Sequence, residues 1–239
     1  MRVGVVQYRA AKGHAEASRA ELRALAERAA VDADLVVLPE MAVCGYEFAD
    51  RAAVERVAEL PDGPTFQALA PIARDRRCWI VCGFPERAGD RLFNAAWVID
   101  PTGARAFVYR KTLLYDADLP WATPGDSGYR AFDTEAGRFG VGICMDLNDD
   151  RFVAWTARAD LDAIAFPTNW VEERDPAFDI HTWTYWAWRL QGQRAALLAA
   201  NTWGADSVLS FTGESVVLKG GRVRGALPRT GNGVLKVRA

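Results

Sequence analysis

Short apolar runs rich in Val, Ile, Leu and Phe alternate with helical segments along nearly the whole chain, and that alternation leaves few folds open. "RVGVVQY" (residues 2–8) reads as a buried strand, and residues 13–31, rich in Ala, Glu and Arg, as an amphipathic helix. "ADLVVLPE" (33–40) is the next strand, stopped by Pro39, and short helices lead to a further helix near residues 64–76. "CWIVCGFPE", "LFNAAWVID" and "ARAFVYRK" are three successive strands, the second turning into the third through "DPTG". A long loop, Thr112 to Gly128, precedes a strand pair, "YRAFDT" and "GRFGVGIC". The second half repeats the logic. "DDRFVAWTARA" is helical, "DAIAFPTNW" is a strand ending at Pro167, and residues 178–196 are expected to form a Trp-rich helix. "ALLAANTWG", "SVLSF", "ESVVLKGG" and the terminal "GNGVLKVRA" read as strands. With no repeat, low-complexity tract or linker, the expectation is a single α/β domain spanning 1–239.

Charge and cysteine usage narrow the function. Net charge is −2, with 29 basic and 31 acidic residues interspersed, so there is no basic footprint for nucleic acid. No apolar run approaches the roughly 18 residues of a membrane span, and the start reads as a strand rather than a signal core. The expectation is a cytoplasmic protein without membrane or nucleic-acid partners. Four cysteines (Cys44, Cys78, Cys82, Cys144) in a chain of 239 residues without an export signal argue against a disulfide framework. Cys78 and Cys82, with three residues between them on a strand-like run, are expected to be buried core thiols rather than metal ligands. Only His14 and His181 are present, so no metal and no cofactor are expected, and a Cys–His dyad has only His181 to draw on.

Three strands end in reactive side chains: "VVLPE" at Glu40, "VYRK" at Lys111 and "VGIC" at Cys144. In α/β sheets, residues just past strand carboxyl ends line the ligand crevice. Taken singly, Glu40 reads as a loop cap, Lys111 as a solvated strand end and Cys144 as a small buried hydrophobe. Taken together they supply the parts of acyl transfer: a thiol nucleophile, a carboxylate to move protons and a cation for the oxyanion. A free thiol near pH 7 is only a few per cent thiolate, so the Lys and Glu pair is expected to activate Cys144 by favouring its thiolate.

In order along the chain, "QYRA", "DLVVLPEMAVCGY", "YRKTLLYD", "TPGD", "FDTEAGRFGVGICMD", "FPTNW", "AANTWG" and "FTGESVV" resemble the motifs of the nitrilase, or carbon–nitrogen hydrolase, superfamily. The resemblance implies a four-layer α-β-β-α sandwich that pairs into homodimers or larger homo-oligomers. It implies Glu40 as general base, Lys111 as oxyanion stabiliser and Cys144 as nucleophile, with the backbone N–H of Met145 completing the oxyanion site. Many members carry a second glutamate six residues before the Pro of "PG". Here that count lands on Asp118, one methylene shorter, with Asp116 as a nearby rival. Met145 stands where an aromatic residue is usual, Asn148 where an arginine is common, and Gly192 where a glutamate is common. "GICMDLN" and "RKTLLYDAD" are most similar to the branch containing protein N-terminal asparagine amidohydrolases. Asp146, Asn169 and Trp170 are candidate contacts for a small-molecule amide, and several of the nine tryptophans are candidates for an aromatic pocket wall. The implied reaction is hydrolysis of a non-peptide amide or carbamoyl C–N bond through a cysteine thioester, releasing ammonia or an amine. A nitrilase acting on a nitrile, an acyltransferase with an amine acceptor, and a ligand-binding member impaired in catalysis are the alternatives.

Overall fold

The structure is a computed structural model that describes residues 1–172 and 180–239. The first half runs β1 (Arg2–Gln7), α1 (Ala15–Ala30), β2 (Leu35–Val37), the short α2 (Arg51–Glu55) and α3 (Pro64–Arg76). It continues through β3 (Trp79–Ala88), β4 (Arg91–Ile99) and β5 (Arg105–Arg110). The second half runs β6 (Arg130–Thr134), β7 (Gly137–Val141), a 3₁₀ turn (Cys144–Asn148), α4 (Asp150–Arg158), β8 (Ala163–Pro167) and α5 (Trp183–Arg189). Then come β9 (Ala196–Ala200), β10 (Trp203–Ala205), β11 (Ser210–Thr212), β12 (Val216–Lys219), β13 (Arg222–Ala226) and β14 (Gly233–Arg238).

These strands make two six-stranded sheets, ordered β14-β1-β2-β3-β4-β5 and β13-β12-β9-β8-β7-β6. β14 pairs antiparallel with β1 along its whole length, so the end of the chain closes the sheet that its beginning opened. Period-two alternation sorts each strand's side chains between two cores. Val3, Val5, Leu35, Val37, Val81, Ala96 and Val98 meet Phe139, Val141, Ala163, Ala165 and Leu197 between the sheets. Val6, Val36, Ile80, Cys82 and Trp97 pack instead under α1 and α3 with Leu22, Leu25, Leu69 and Ile72. α4 and α5 place Phe152 and Trp186 against the outer face of the second sheet. The result is the expected α-β-β-α sandwich. Cys78 and Cys82 are both fully buried in the helix-side core.

Two expectations change in the second half. The Trp-rich helix spans Trp183–Arg189 rather than 178–196; residues 178 and 179 lie outside the described ones. Its end is set by Leu190, whose N–H bonds back to the Trp186 carbonyl, and by Gly192 at a φ of 79°, a left-handed conformation that stops a helix. The run 196–204 is two strands, because Asn201 leaves the ladder: its side-chain carbonyl accepts the Trp170 N–H and its backbone carbonyl the Tyr8 N–H. β13 is an additional strand, reached through Gly220 and Gly221, both at positive φ.

Gly83 lets the turn after β2 lie directly on β3. A Cβ there would come within 2.5 Å of Glu40 Cα and 2.6 Å of the Pro39 carbonyl oxygen. Both neighbours are backbone and cannot swing away. Gly83→Ala is therefore expected to cost about 1–3 kcal/mol of unfolding free energy. The check is a denaturant midpoint with unchanged slope; a variant as stable as the parent contradicts this close approach.

Candidate active site

Glu40, Lys111 and Cys144 follow the carboxyl ends of β2, β5 and β7. Lys111 continues the ladder of β5, its N–H bonded to the Asn94 carbonyl of β4 at 2.8 Å. Its own carbonyl accepts the Gly125 N–H at 2.8 Å. The ammonium is thereby delivered into the interior, where Nζ donates to Glu40 Oε1 at 2.8 Å and to Asp118 Oδ2 at 2.7 Å. All three side chains are fully buried. Asn94 Nδ2 bridges the two acids, donating to Glu40 Oε1 at 2.7 Å and to Asp118 Oδ1 at 3.1 Å. The Tyr46 hydroxyl lies 3.4 Å from Lys111 Nζ, and the Tyr115 N–H donates to Asp118 Oδ2. Asp118 thus reaches the lysine despite its shorter side chain, whereas Asp116 is exposed. Glu40 Oε2 is buried and has no hydrogen-bond partner.

Cys144 opens the 3₁₀ turn at a φ of 42°, a strained conformation for a residue with a Cβ. The strand-to-turn corner is tight at Gly142, where a Cβ would collide with the Phe152 ring. Asp146 clamps the corner. Its buried carboxylate accepts from Ile143 N–H, Thr112 N–H and Oγ1, Leu113 N–H and the Tyr109 hydroxyl, at 2.7 to 3.0 Å. These bonds tie the cysteine turn to the loop after Lys111, and Asp146 does not line the adjoining cavity. The carboxylate expected to contact substrate is spent on protein donors.

Charge in this site is unbalanced: two carboxylates face one ammonium. Burial alone would lower the Lys111 pKa, but Asp118 and Glu40 outweigh it and hold the ammonium well above its ordinary value. Burial raises the Glu40 carboxyl; Asp118 adds to that, and Lys111 and Asn94 oppose it. The Cys144 thiol is pushed up to about 12, first by burial and then by Glu40, against the weaker opposition of Lys111, Thr168 and the Asn169 backbone. This reverses the expected activation of a resting thiolate. At neutral pH Cys144 is therefore a thiol.

Cys144 lines one wall of a cavity of about 770 Å³ with Met145, Asn148, Asn169, Trp170 and Trp186. The Trp170 and Trp186 rings stack at 5.7 Å, and Tyr185 donates from its hydroxyl to Asn148 Oδ1 at 2.9 Å. Trp188 stands exposed at the cavity's edge. The other tryptophans go elsewhere: Trp121 packs with Tyr46, Trp155 with Tyr129 and Phe152, and Trp203 beneath Arg9. His181 borders the cavity, stacked on Trp183, and its Nδ1 is engaged by Glu214 at 2.7 Å rather than by Cys144. Asn94, Tyr46, Tyr109 and Glu214 are site residues that sequence reasoning missed. For Asn94 a signal existed, an amide stranded in the apolar run "LFNAAWV". Among the described residues, no group of three or more His, Cys, Asp or Glu is arranged to hold a metal ion, and no helix is long and apolar enough to cross a membrane.

The family profile described as carbon-nitrogen hydrolase matches residues 2–237. The chain belongs to the carbon–nitrogen hydrolase family. A nitrilase of Pyrococcus abyssi is 34% identical to this carbon–nitrogen hydrolase, over 84% of its chain and 73% of the relative. A protein N-terminal amidase of Schizosaccharomyces pombe is 26% identical, over 99% and 96%. A solved N-terminal amidase with an Asn-Glu-Ala peptide superposes with a TM-score of 0.85 at 17% identity, covering 99% of this chain and 96% of its own. An amidase from Nesterenkonia sp. AN1 does so with a TM-score of 0.82 at 22% identity, covering 100% and 93%. These two structures share the fold. The family and its amidase relatives support amide C–N hydrolysis in general.

Access separates the four thiols. Cys144 borders the cavity, while Cys44, Cys78 and Cys82 are buried in the cores. Iodoacetamide is expected to alkylate Cys144 first, as read by peptide mapping. Equal labelling of all four, or Cys144 labelled last, contradicts the cavity placement.

Proposed function

We propose that this carbon–nitrogen hydrolase cleaves a small primary amide or carbamoyl group with an apolar acyl part, through a thioester on Cys144. Glu40 Oε2 is the observation that carries the reading. Glu40 Oε1 is held by Lys111 and Asn94, and Oε2 remains without a partner in a site whose thiol rests protonated. The amide enters the aromatic cavity, and the Cys144 sulfur adds to its carbonyl carbon as the thiol proton passes to Glu40. The oxyanion is stabilised by the Lys111 ammonium and the Met145 N–H. Glu40 returns its proton to the leaving nitrogen, the C–N bond breaks and ammonia or an amine departs. Water then attacks the thioester and gives its proton to Glu40; the C–S bond breaks and the sulfur regains a proton. Asp118 serves as the second acid, holding Lys111 charged and in place. Asn169, whose buried Oδ1 has no partner, is suited to accept the amide N–H, with Trp170 stacking on the acyl part.

A second reading places the scissile amide on the side chain of a peptide's N-terminal Asn. The Schizosaccharomyces pombe relative, a protein N-terminal amidase, favours it. Both readings use the same chemistry, and a panel separates them.

Ammonia release and adduct mass on Cys144 should be measured with phenylacetamide, glutaramate and an Asn-Glu-Ala peptide. None of the described cavity-lining residues is Asp, Glu, Lys or Arg, so phenylacetamide is expected to outperform the charged glutaramate. Preference for the peptide selects the second reading; no ammonia from any of them and no adduct sinks both. With the best substrate, Lys111→Ala is expected to lower kcat on the order of 10²–10³. Asp118→Asn should lower it by no more than about a hundredfold, as a positioning loss. A near-normal kcat in Lys111→Ala refutes the oxyanion role.

A further inference from the structure

Glu40 and Cys144 border different cavities. The large aromatic cavity is lined by Cys144 but not by Glu40. A second, of about 10 Å³, is lined by Glu40, Met41, Tyr46, Tyr8, Thr202 and Asp206 but not by Cys144. Asn169 lines both. Outside the small cavity lies a surface depression of about 750 Å³ bordered by Lys12 and Trp203, and the two share Arg9, Ala10 and Asp206.

The small cavity is a built feature. Two loops form its outer wall, and each caps the other. Asp206 Oδ2 accepts the Tyr46 and Glu47 N–H groups at 3.0 Å, while Glu47 Oε2 accepts the Ser207 and Val208 N–H groups at 2.8 Å. Its volume matches one water molecule, which needs two to four polar partners. Glu40, Asn169, Thr202 and Asp206 are polar residues of its wall, and Glu40 Oε2 and Asn169 Oδ1 are both buried and unpartnered.

We infer that this cavity seats the water that hydrolyses the thioester, and that the water enters between Arg9, Ala10 and Asp206. The inference rests on the proposed role of Cys144. The acyl group on sulfur lies in the aromatic cavity, whose lining lacks Glu40, so a water arriving by that route meets no base there. Water held beside Glu40 instead meets its base directly. Its oxygen bonds to the acyl carbon, its proton goes to Glu40, the C–S bond breaks and the proton returns to sulfur. Substrate and water would then use separate doors, and acylation and deacylation would be separable by mutation.

4-Nitrophenyl acetate tests this, because its acylation burst releases 4-nitrophenolate and its steady state reports deacylation. Ala10→Phe narrows the entrance, and Thr202→Val removes a polar wall atom while keeping shape. Both are expected to keep the burst rate of the parent, to lose about tenfold in steady-state rate, and to accumulate the acetyl adduct on Cys144 by intact mass. If Ala10→Phe loses its burst, Thr202→Val decides on the same readout. A steady state unchanged beside an intact burst overturns the inference, as does an equal loss in both phases. Absence of burst and adduct in the parent overturns the thioester reading itself, and this inference with it.

Discussion

The Lys111 ammonium, fully buried between Glu40 and Asp118, is the interaction on which the rest of the site depends. A charge taken out of water is tolerated only when paired and hydrogen-bonded, and removing one partner of such a pair costs about 3–5 kcal/mol. Here the three groups come from separate parts of the chain: the turn after β2, the end of β5 and the loop beyond it. The lysine therefore pins those segments to one another. Asn94 from β4 stitches the two acids, and Gly83 and Gly125 let backbone approach where any side chain would collide. Fold and site share one set of constraints.

The same trio sets the nucleophile's chemistry. Burial opposes a thiolate first, and Glu40 adds to that against the weaker opposition of Lys111. Cys144 is thus kept protonated at neutral pH, and in the proposed reaction its proton leaves as the sulfur adds to a carbonyl carbon. The two groups also open to different spaces, Cys144 to the aromatic cavity and Glu40 to a second, small one.

Much of this was legible in the sequence because it follows from local rules. Buried strands announce themselves by apolar runs, and residues just past their carboxyl ends face a shared crevice, which put Glu40, Lys111 and Cys144 together before any coordinates. Asp118 came from the family resemblance, which places a second acid six residues before Pro124. What sequence did not give is long-range. Asn94 is one amide in an apolar strand, and only the register of β4 against β5 shows that it reaches both acids. Asp146 reads as a substrate contact until the loop after Lys111 is seen folding over it. The sign of the thiol shift also escaped, because it depends on how deeply the group is buried and on the count of nearby charges. α5 is shorter than its expected span because the apolar residues beyond Gly192 belong to β9 (Ala196–Ala200).

We propose that Cys144 rests as a neutral thiol and is activated by Glu40 during attack. The most direct measurement is a thiolate absorbance titration of the folded enzyme, taken as the difference between the parent and Cys144→Ser. The account predicts no Cys144 thiolate through the ordinary thiol value of about 8.5, with ionisation only toward about 12. A thiolate titrating at or below the ordinary value would contradict it.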